Sequence, residues 1–321
     1  MLDRTGLIVT ANTPAPLTFL DSVLRGIGQV MLQNNAYAGV LFLIGIFLNS
    51  ALFGGGVIVG TVVSTLTAQA LGAKTSDVRA GLFGFNGALV AIALLYFLEP
   101  NALTWGCVVL ASACSTVLMA ALMQLFKVFN LPVLTAPFVF TSLGFFLAIA
   151  RFGRLQSTQQ LPTAGLPQST AVEGIVTHTT VIEGLLGGVA QVFFQASVLT
   201  GVIFVAALLI SSWRACVMAL LGSLLGVLIA WGMGAAEPAI RAGAFGFNSV
   251  LTAIALGSVF LRPGLGALVY TALGCAATTV VYAGLSAALE PIGMPAMTLP
   301  FVLVTWVFVA ATPLFARLRA A

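Results

Sequence analysis

Residues 37–72 carry no charged side chain, and this uncharged stretch limits the fold more than any other feature of the chain. One α-helix over Tyr37–Gly72 would be about 54 Å long, whereas the hydrocarbon core of a bilayer is about 30 Å thick. The stretch must therefore form two membrane spans. We predict the turn between them at Asn49–Ser50 together with the glycines at 54–56.

The composition extends this interpretation to the whole chain. Of its residues, 60% are hydrophobic and 6% are charged, whereas a soluble domain has about 25% charged residues. We therefore predict an all-α polytopic membrane protein, which disfavours a soluble enzyme, a nucleic-acid-binding protein and a secreted disulfide scaffold. The four cysteines lie in or beside apolar segments without a CxxC spacing, so we interpret them as inert hydrophobic residues.

Further apolar spans follow in both halves of the chain. A polar stretch at 151–180, rich in glutamine and containing two prolines, separates the halves and is typical of a loop. The predicted spans are Gly81–Leu98, Ala102–Phe126 and Val133–Ala150 in the first half, and Leu199–Ser211, Trp213–Met233, Phe245–Phe260, Leu265–Leu289 and Met297–Ala316 in the second.

The two halves are copies of each other. The segment RAGLFGFN at 79–86 recurs as RAGAFGFN at 241–248, so the numbering is offset by 162. The pattern [LM]-P-x-x-T-x-P-F at 131–138 recurs at 294–301 with an offset of 163, so one residue is inserted between the two blocks. We predict a first repeat at 1–150, an external linker loop at 151–182 and a second repeat at 183–321.

Each predicted repeat has five transmembrane helices preceded by a shorter apolar stretch, Leu20–Leu32 or Leu185–Gln195. These stretches are too short to cross a bilayer, so we interpret each as a re-entrant half-helix. Asp21 and Glu183 lie near their starts, where we expect N-terminal caps. An odd number of spans inverts the second repeat, and inverted repeats favour a pore or binding site at the repeat interface.

The cationic residues set the orientation by the positive-inside rule. With the first residues in the cytoplasm, nine cations fall inside and three outside, so we predict a multi-pass inner (plasma) membrane protein with both termini cytoplasmic. The inside set is Arg4, Arg25, Lys74, Arg79, Lys127, Arg214, Arg262, Arg317 and Arg319, and the outside set is Arg151, Arg154 and Arg241.

The sequence offers little reactive chemistry. We predict no ionisable residue near the bilayer centre, where ion-coupled carriers usually keep one. Nucleophile motifs and metal-ligand clusters are absent from the sequence, so we expect no enzyme activity, no metal and no cofactor. A passive path for a neutral solute is the function that this pattern favours.

Neutral polar and aromatic residues recur at the repeated positions. The two prolines of each [LM]-P-x-x-T-x-P-F motif free backbone carbonyls, and Thr135 or Thr298 adds a hydroxyl between them. The alternative is a proline-kinked helix whose threonine bonds to its own backbone. Phenylalanine and leucine four residues apart share a helix face at 85 and 89 and again at 247 and 251. Gln29 and Gln191 either join helices or donate to a ligand.

These repeated motifs, which cover roughly residues 20–316, resemble those of the urea transporters. The resemblance implies a homotrimer whose protomers each conduct urea passively, as a channel, through their own pore. It implies that threonines flank the narrow centre, that glutamines contact the permeant and that phenylalanine, leucine and valine form two flat slots. Leu32 stands where the family commonly has Phe. The implied pore residues are Gln29, Leu32, Phe85, Leu89, Thr135, Gln191, Val192, Phe247, Leu251 and Thr298.

The chemistry of urea fits such a lining independently, because urea is flat and neutral and has four N–H donors for a row of oxygen acceptors. An uncharged desolvated pore also opposes the entry of ions. Another small neutral solute, a short amide or ammonia, remains the alternative permeant. An intramembrane enzyme is the alternative from another class, although the sequence contains no pair of titratable residues that would mark its catalytic site.

Overall fold

The computed structural model describes residues 5–7, 13–167 and 172–320, and the chain packs as two compact units. The first unit comprises the residues up to Lys127 together with Val133–Leu161, and it contains seven α-helices in its described residues. They are α1 (Ala15–Gln29), α2 (Ala36–Asn49), α3 (Ala51–Ala70), α4 (Thr75–Arg79), α5 (Gly84–Phe97), α6 (Ala102–Phe126) and α7 (Ala136–Ala148), and a 3₁₀ turn at Lys127–Phe129 extends α6.

The second unit contains another seven α-helices in its described residues, and the short segment Val128–Pro132 packs with them. They are α8 (His178–Ala190), α9 (Val198–Ser211), α10 (Trp213–Gly232), α11 (Glu237–Arg241), α12 (Phe247–Ile254), α13 (Leu265–Leu289) and α14 (Leu299–Ala311). 3₁₀ turns follow α8, α13 and α14 at Gln191–Phe193, Glu290–Ile292 and Thr312–Leu314, and a π-helix at Ala255–Phe260 continues α12. The all-α prediction is confirmed.

The predicted turn within the uncharged stretch lies at Ser50. Its backbone is extended, and its side chain caps α3 by accepting from the N–H of Phe53. The glycines at 54–56 are not part of this turn, contrary to our prediction, because they lie inside α3. A Cβ at Gly56 would overlap the side chain of Leu95, so this glycine lets α3 pack closely against α5.

Both predicted half-helices begin earlier than expected. A proline in the first turn starts α1 at Ala15, and a capping box between Thr177 and Thr180 starts α8 at His178. Asp21 and Glu183 therefore lie inside their helices, and their predicted role as N-terminal caps is wrong. At 15 residues α1 is about 22 Å long, still shorter than the hydrocarbon core.

Within the described residues, four helices are long and apolar enough to cross a membrane: α3, α6, α10 and α13. The continuous helix of α8 and its 3₁₀ turn joins α9 at a bend of 74°, which is a broken span or a re-entrant loop. Shorter apolar helices occupy the other predicted spans, at Ala36–Asn49, Gly84–Phe97, Ala136–Ala148, Phe247–Phe260 and Leu299–Leu314. The chain is thus a multi-pass membrane protein, whereas five full spans per repeat stays a prediction.

The helix bounds repeat along the chain. The first and last residues of α9, α10 and α11 are numbered 162 higher than those of α2, α3 and α4, respectively. For α13 and α14, compared with α6 and α7, the difference is 163. The extra residue therefore lies between α11 and α13, where α12 ends as the π-helix while α5 stays α-helical to Phe97. A π-helical turn accommodates one additional residue, which explains the change of offset.

Candidate functional site

Both [LM]-P-x-x-T-x-P-F motifs break the chain between two helices. The helical backbone stops at Phe129 and resumes at Ala136, and it stops at Ile292 and resumes at Leu299. Each break contains two residues with a left-handed backbone: Asn130 at φ 51° and Leu134 at φ 57° in the first, and Gly293 at φ 64° and Met297 at φ 46° in the second. The alternative of a continuous proline-kinked helix therefore does not hold.

A buried asparagine holds each break in place, and we call this arrangement the asparagine clamp. In the first unit the Oδ1 atom of Asn86 accepts from the backbone N–H of Phe138 at 3.0 Å, and its Nδ2 atom lies 3.5 Å from the Leu134 carbonyl oxygen. In the second unit Asn248 makes the same pair of bonds, to Phe301 at 3.1 Å and Met297 at 3.0 Å.

Each asparagine caps a helix whose N-cap residue, a threonine, makes no side-chain capping bond. Thr135 and Thr298 occupy the N-cap positions of α7 and α14, yet neither side chain makes a capping bond to its own helix. Both residues are 3% exposed. Because the asparagine supplies the missing acceptor, the threonine hydroxyl is not required for capping.

The asparagines were not predicted as functional residues. The FGFN blocks drew attention for their phenylalanines, although the asparagine recurs at the same offset in both copies. That recurrence of a buried polar residue was the available signal. What it touches was not available from the sequence, because each clamp joins residues 48 to 53 positions apart.

Some of the carbonyls freed by the motifs already accept protein hydrogen bonds. The clamps use those of Leu134 and Met297, and the indole N–H of Trp306 donates to the Pro132 carbonyl oxygen at 2.8 Å. A carbonyl oxygen has two lone pairs, so one bond leaves acceptor capacity. The predicted row of acceptors is therefore present in part but shared with protein donors.

Three of the four predicted aromatic and leucine slot residues are buried, and the fourth, Phe247, is half-buried. Phe85 is 6% exposed on α5, and Leu89 and Leu251 are fully buried one turn into α5 and α12. Phe247 is half-buried and packs edge-to-face against Tyr282, with ring centroids 5.4 Å apart. The first copy has Met119 at the position of Tyr282, so the two aromatic surroundings differ.

Gln29 and Gln191 make equivalent bonds in the two units. Their Nε2 atoms donate to the carbonyl oxygens of Ala80 at 2.9 Å and Ala242 at 3.2 Å. The next residue in each case is a glycine with a left-handed backbone, packed against the backbone of the first helix of its unit. The described bonds support the helix-joining interpretation, and contact with a permeant stays a prediction.

The structural counterpart of Leu32 is Phe194 rather than the predicted slot residue Val192. Leu32 and Phe194 have matching left-handed backbones, with φ values of 60° and 58°, and each donates its N–H to the carbonyl oxygen of the glutamine three residues earlier. Val192 is 1% exposed and corresponds to Val30, which is equally buried. Phe194 therefore joins the candidates that the sequence analysis missed.

The clamps relate the candidate residues of each unit. Asn86, the residue after Phe85, forms hydrogen bonds to the backbone of Leu134 and Phe138, which lie on either side of Thr135 in the sequence. Gln29 donates to the carbonyl oxygen of Ala80, five residues before Phe85. Asn248 places Phe247 beside the break that contains Thr298 in the same way. Leu32 and Val192 lie close in sequence to the two glutamines.

Charged residues form two clusters that were not predicted from the sequence. Arg25, counted above as an orientation signal, is buried and forms an ion pair with the buried Asp21 at 2.7 Å. Arg241 pairs with Glu183 and Glu237, each at 2.7 Å. Hydrogen bonds from Arg241 and Thr180 hold the pKa of the Glu237 carboxyl below its ordinary value. Within the described residues, no group of three or more metal-binding side chains occurs.

Comparisons with known proteins identify the family. A family sequence model described as Urea transporter matches residues 20–313. The chain is 34% identical to Urea transporter 1 of Ovis aries over 310 residues, 94% of this chain and 79% of that protein. Urea transporter 1 of Rattus norvegicus shows the same identity and coverage. Urea transporter 1 of Capra hircus is 33% identical, with the same coverage of both chains. The chain belongs to the urea transporter family.

Proposed function

We propose that this chain conducts urea passively across the membrane through a selective pore at the interface of two inverted repeats. Its family and its relatives named Urea transporter 1 support urea as the permeant. The single observation that carries the pore proposal is the repeated asparagine clamp, which fixes an irregular backbone beside Thr135 and Thr298. Irregular backbone at membrane depth is tolerated only where it is buried in protein or lines a wet cavity.

The proposed pore lining provides acceptors for a flat molecule with four N–H donors. The two threonine hydroxyls and the remaining lone pairs of the motif carbonyls accept from urea, and each such bond contributes about 0.5–1.5 kcal/mol net. The slots formed by phenylalanine and leucine side chains admit a plate and exclude a hydrated ion. The lining comprises Gln29, Leu32, Phe85, Leu89, Thr135, Gln191, Val192, Phe247, Leu251 and Thr298, to which the structure adds Phe194 as a candidate.

The finer organisation follows the same proposal. Both termini face the cytoplasm, the linker at 151–182 is external, and three protomers, each with its own pore, associate in the inner membrane. The distribution of cations along the sequence supports the orientation. Family membership supports the homotrimer, and no cofactor, metal or enzymatic step enters the mechanism.

Stopped-flow light scattering on proteoliposomes tests the proposal. The full chain is challenged with a urea gradient, with formamide, ammonium and glycerol gradients in parallel and no imposed ion gradient. We expect rapid urea entry that saturates, with little flux of glycerol or ammonium. Urea entry no faster than in protein-free liposomes would contradict the proposal, and faster formamide or ammonia entry would identify the alternative permeants.

A further inference from the structure

An apolar groove of about 850 Å³ runs between α6, α7 and the segment Arg151–Leu155 in the first unit. Its lining is hydrophobic apart from Thr141, two thiols and the two cations Arg151 and Arg154, which both belong to the segment after α7. Cavities of this size enclose ligands larger than urea. None of the proposed pore residues lines the groove.

The equivalent place in the second unit is filled by protein. Tyr270 stands where the first copy has Cys107, and its ring packs on Phe308 and Phe315 with centroids 4.7 and 5.8 Å apart. Its hydroxyl donates to the Phe308 carbonyl oxygen at 2.8 Å. Val307 further replaces the groove residue Gly144. Small residues thus keep the groove open in one copy of a duplicated fold.

The charge at the end of the groove also differs between the copies. Arg151 is replaced by Leu314, while Arg154 is retained as Arg317. Arg151 and Arg154 are exposed, and within the described residues neither forms an ion pair. Phe152, between them, is 60% exposed. Two unpaired guanidinium groups beside an aromatic residue are typical of a membrane–water interface.

We propose that this groove binds an anionic phospholipid, with an acyl chain between α6 and α7 and the phosphate held by Arg151 and Arg154. The apolar walls suit the chain, and guanidinium groups bind phosphate oxygens in a bidentate manner. A second copy of this protein suits the groove less well, because it would have to bury two cations that have no acidic partner. The proposal is independent of the pore.

Native mass spectrometry of the purified full-length protein tests this site. Dioleoyl phosphatidylglycerol and dioleoyl phosphatidylcholine are titrated separately, since they differ in headgroup charge and share the same chains. We expect the wild type to retain phosphatidylglycerol preferentially. Arg151→Gln with Arg154→Gln lowers that affinity about twenty-five-fold, since each arginine near an anionic headgroup contributes about fivefold.

Two further changes separate the chain site from the headgroup site. Gly144→Val and Cys107→Tyr, made singly, introduce the larger residues found at the equivalent positions 307 and 270 of the second unit, and we expect each to reduce binding of both lipids. Arg317→Gln is the matched control, because it removes the equivalent of Arg154 in the copy where Tyr270 packs on Phe308 and Phe315, and we expect its lipid binding to equal that of the wild type.

Three results would overturn the proposal. The first is an undiminished phosphatidylglycerol preference after loss of both arginines. The second is an equal loss in the Arg317→Gln control. The third is a change of oligomeric state in Gly144→Val and Cys107→Tyr while lipid binding stays constant, which would make the groove a contact between copies of this chain. Monodisperse elution on size-exclusion chromatography establishes beforehand that each variant is folded.

Discussion

The side chain of Asn86 lies 3.0 Å from the backbone nitrogen of Phe138, 52 positions along the chain, and caps the helix that Phe138 helps to begin. The same relationship joins Asn248 and Phe301 in the second copy. A capping acceptor normally comes from the residue just before the helix. Here it comes from another helix, so the start of α7 is fixed to α5, and the start of α14 to α12.

We therefore expect Asn86→Ala to destabilise the fold. The substitution leaves the buried Phe138 N–H without its acceptor, which costs about 1–3 kcal/mol, and urea flux falls as the break loosens. Thermal unfolding in detergent and stopped-flow flux measure the two effects, and Asn248→Ala behaves alike. Ser142→Ala on α7 is the control, because its buried hydroxyl has no partner among the described residues. Equal melting temperatures for Asn86→Ala and Ser142→Ala would contradict the clamp.

Thr135→Val and Thr298→Val test the proposed narrow centre of the pore. Valine keeps the β-branched shape and removes the hydroxyl, so we expect urea flux to fall about twofold to tenfold, the effect of one hydrogen bond. Oligomer elution and melting temperature change little, because neither threonine caps its own helix. Thr305→Val, which removes another buried hydroxyl on α14, leaves flux unchanged. Normal flux in both single variants would remove the threonines from the mechanism.

Leu32→Phe tests the correspondence between Leu32 and Phe194. Since Phe194 already adopts the same left-handed backbone, phenylalanine at position 32 adds no backbone strain and the melting temperature stays near that of the wild type. The added ring makes the proposed slot formed by Phe85, Leu89 and residue 32 more aromatic, so the urea concentration at half-saturation falls in concentration-dependent flux measurements. Phe194→Leu raises it. The correspondence between Leu32 and Phe194 would be contradicted if Leu32→Phe and Phe194→Leu left the urea concentration at half-saturation constant while Val192→Leu changed it.

Glu237 makes stability depend on pH. Arg241 and Thr180 lower its folded pKa below its ordinary value of 4.5, so the carboxylate stabilises the folded state above that pH. This contribution disappears as pH falls through the folded pKa. In melting curves, Glu237→Gln is therefore less stable than the wild type at pH 7, and the difference shrinks as the pH falls below 4.5 and through the lowered folded pKa. Equal melting temperatures for Glu237→Gln and the wild type at pH 7 would contradict this role of Glu237.

The π-helix at the end of α12 predicts an unusual tolerance of deletion. Removing Ser258 from Ala255–Phe260 shortens the second copy to the length of the first and allows an α-helical turn, as in α5. We expect this variant to elute as a single oligomeric species on fluorescence-detected size-exclusion chromatography. Deletion of Ala93 from α5 rotates the residues that follow and abolishes that species. If neither deletion variant eluted as a single oligomeric species, the result would contradict the assignment of the inserted residue to the π-helix.

Local patterns in the sequence predicted much of the fold. Hydrophobicity and charge indicated the all-α membrane class, the Asn49–Ser50 dipeptide marked the break between α2 and α3, and the change of offset located an inserted residue. The helix starts before Asp21 and Glu183 were harder to predict, because prolines and a threonine capping box in polar surroundings extended each helix beyond its apolar stretch.

The candidate site was less predictable because it depends on contacts between distant residues. No residue near Asn86 in the sequence indicates that the backbone N–H of Phe138 needs an acceptor. No residue near Leu32 indicates that Leu32 adopts a left-handed backbone. The ion pair of Asp21 and Arg25 was hidden for a different reason. Charges four residues apart on a helix are common on surfaces, and burial of this pair arises from packing around α1.

The single turn of π-helix has a consequence for how this duplicated protein diverged. The clamp of the second copy spans the inserted residue, yet its bond to Phe301 is 3.1 Å long, against 3.0 Å for the bond to Phe138 in the first copy. The insertion is absorbed locally, so it leaves the register of the flanking helices intact. Selection was thereby free to change the length of one copy while it retained the geometry that both copies share.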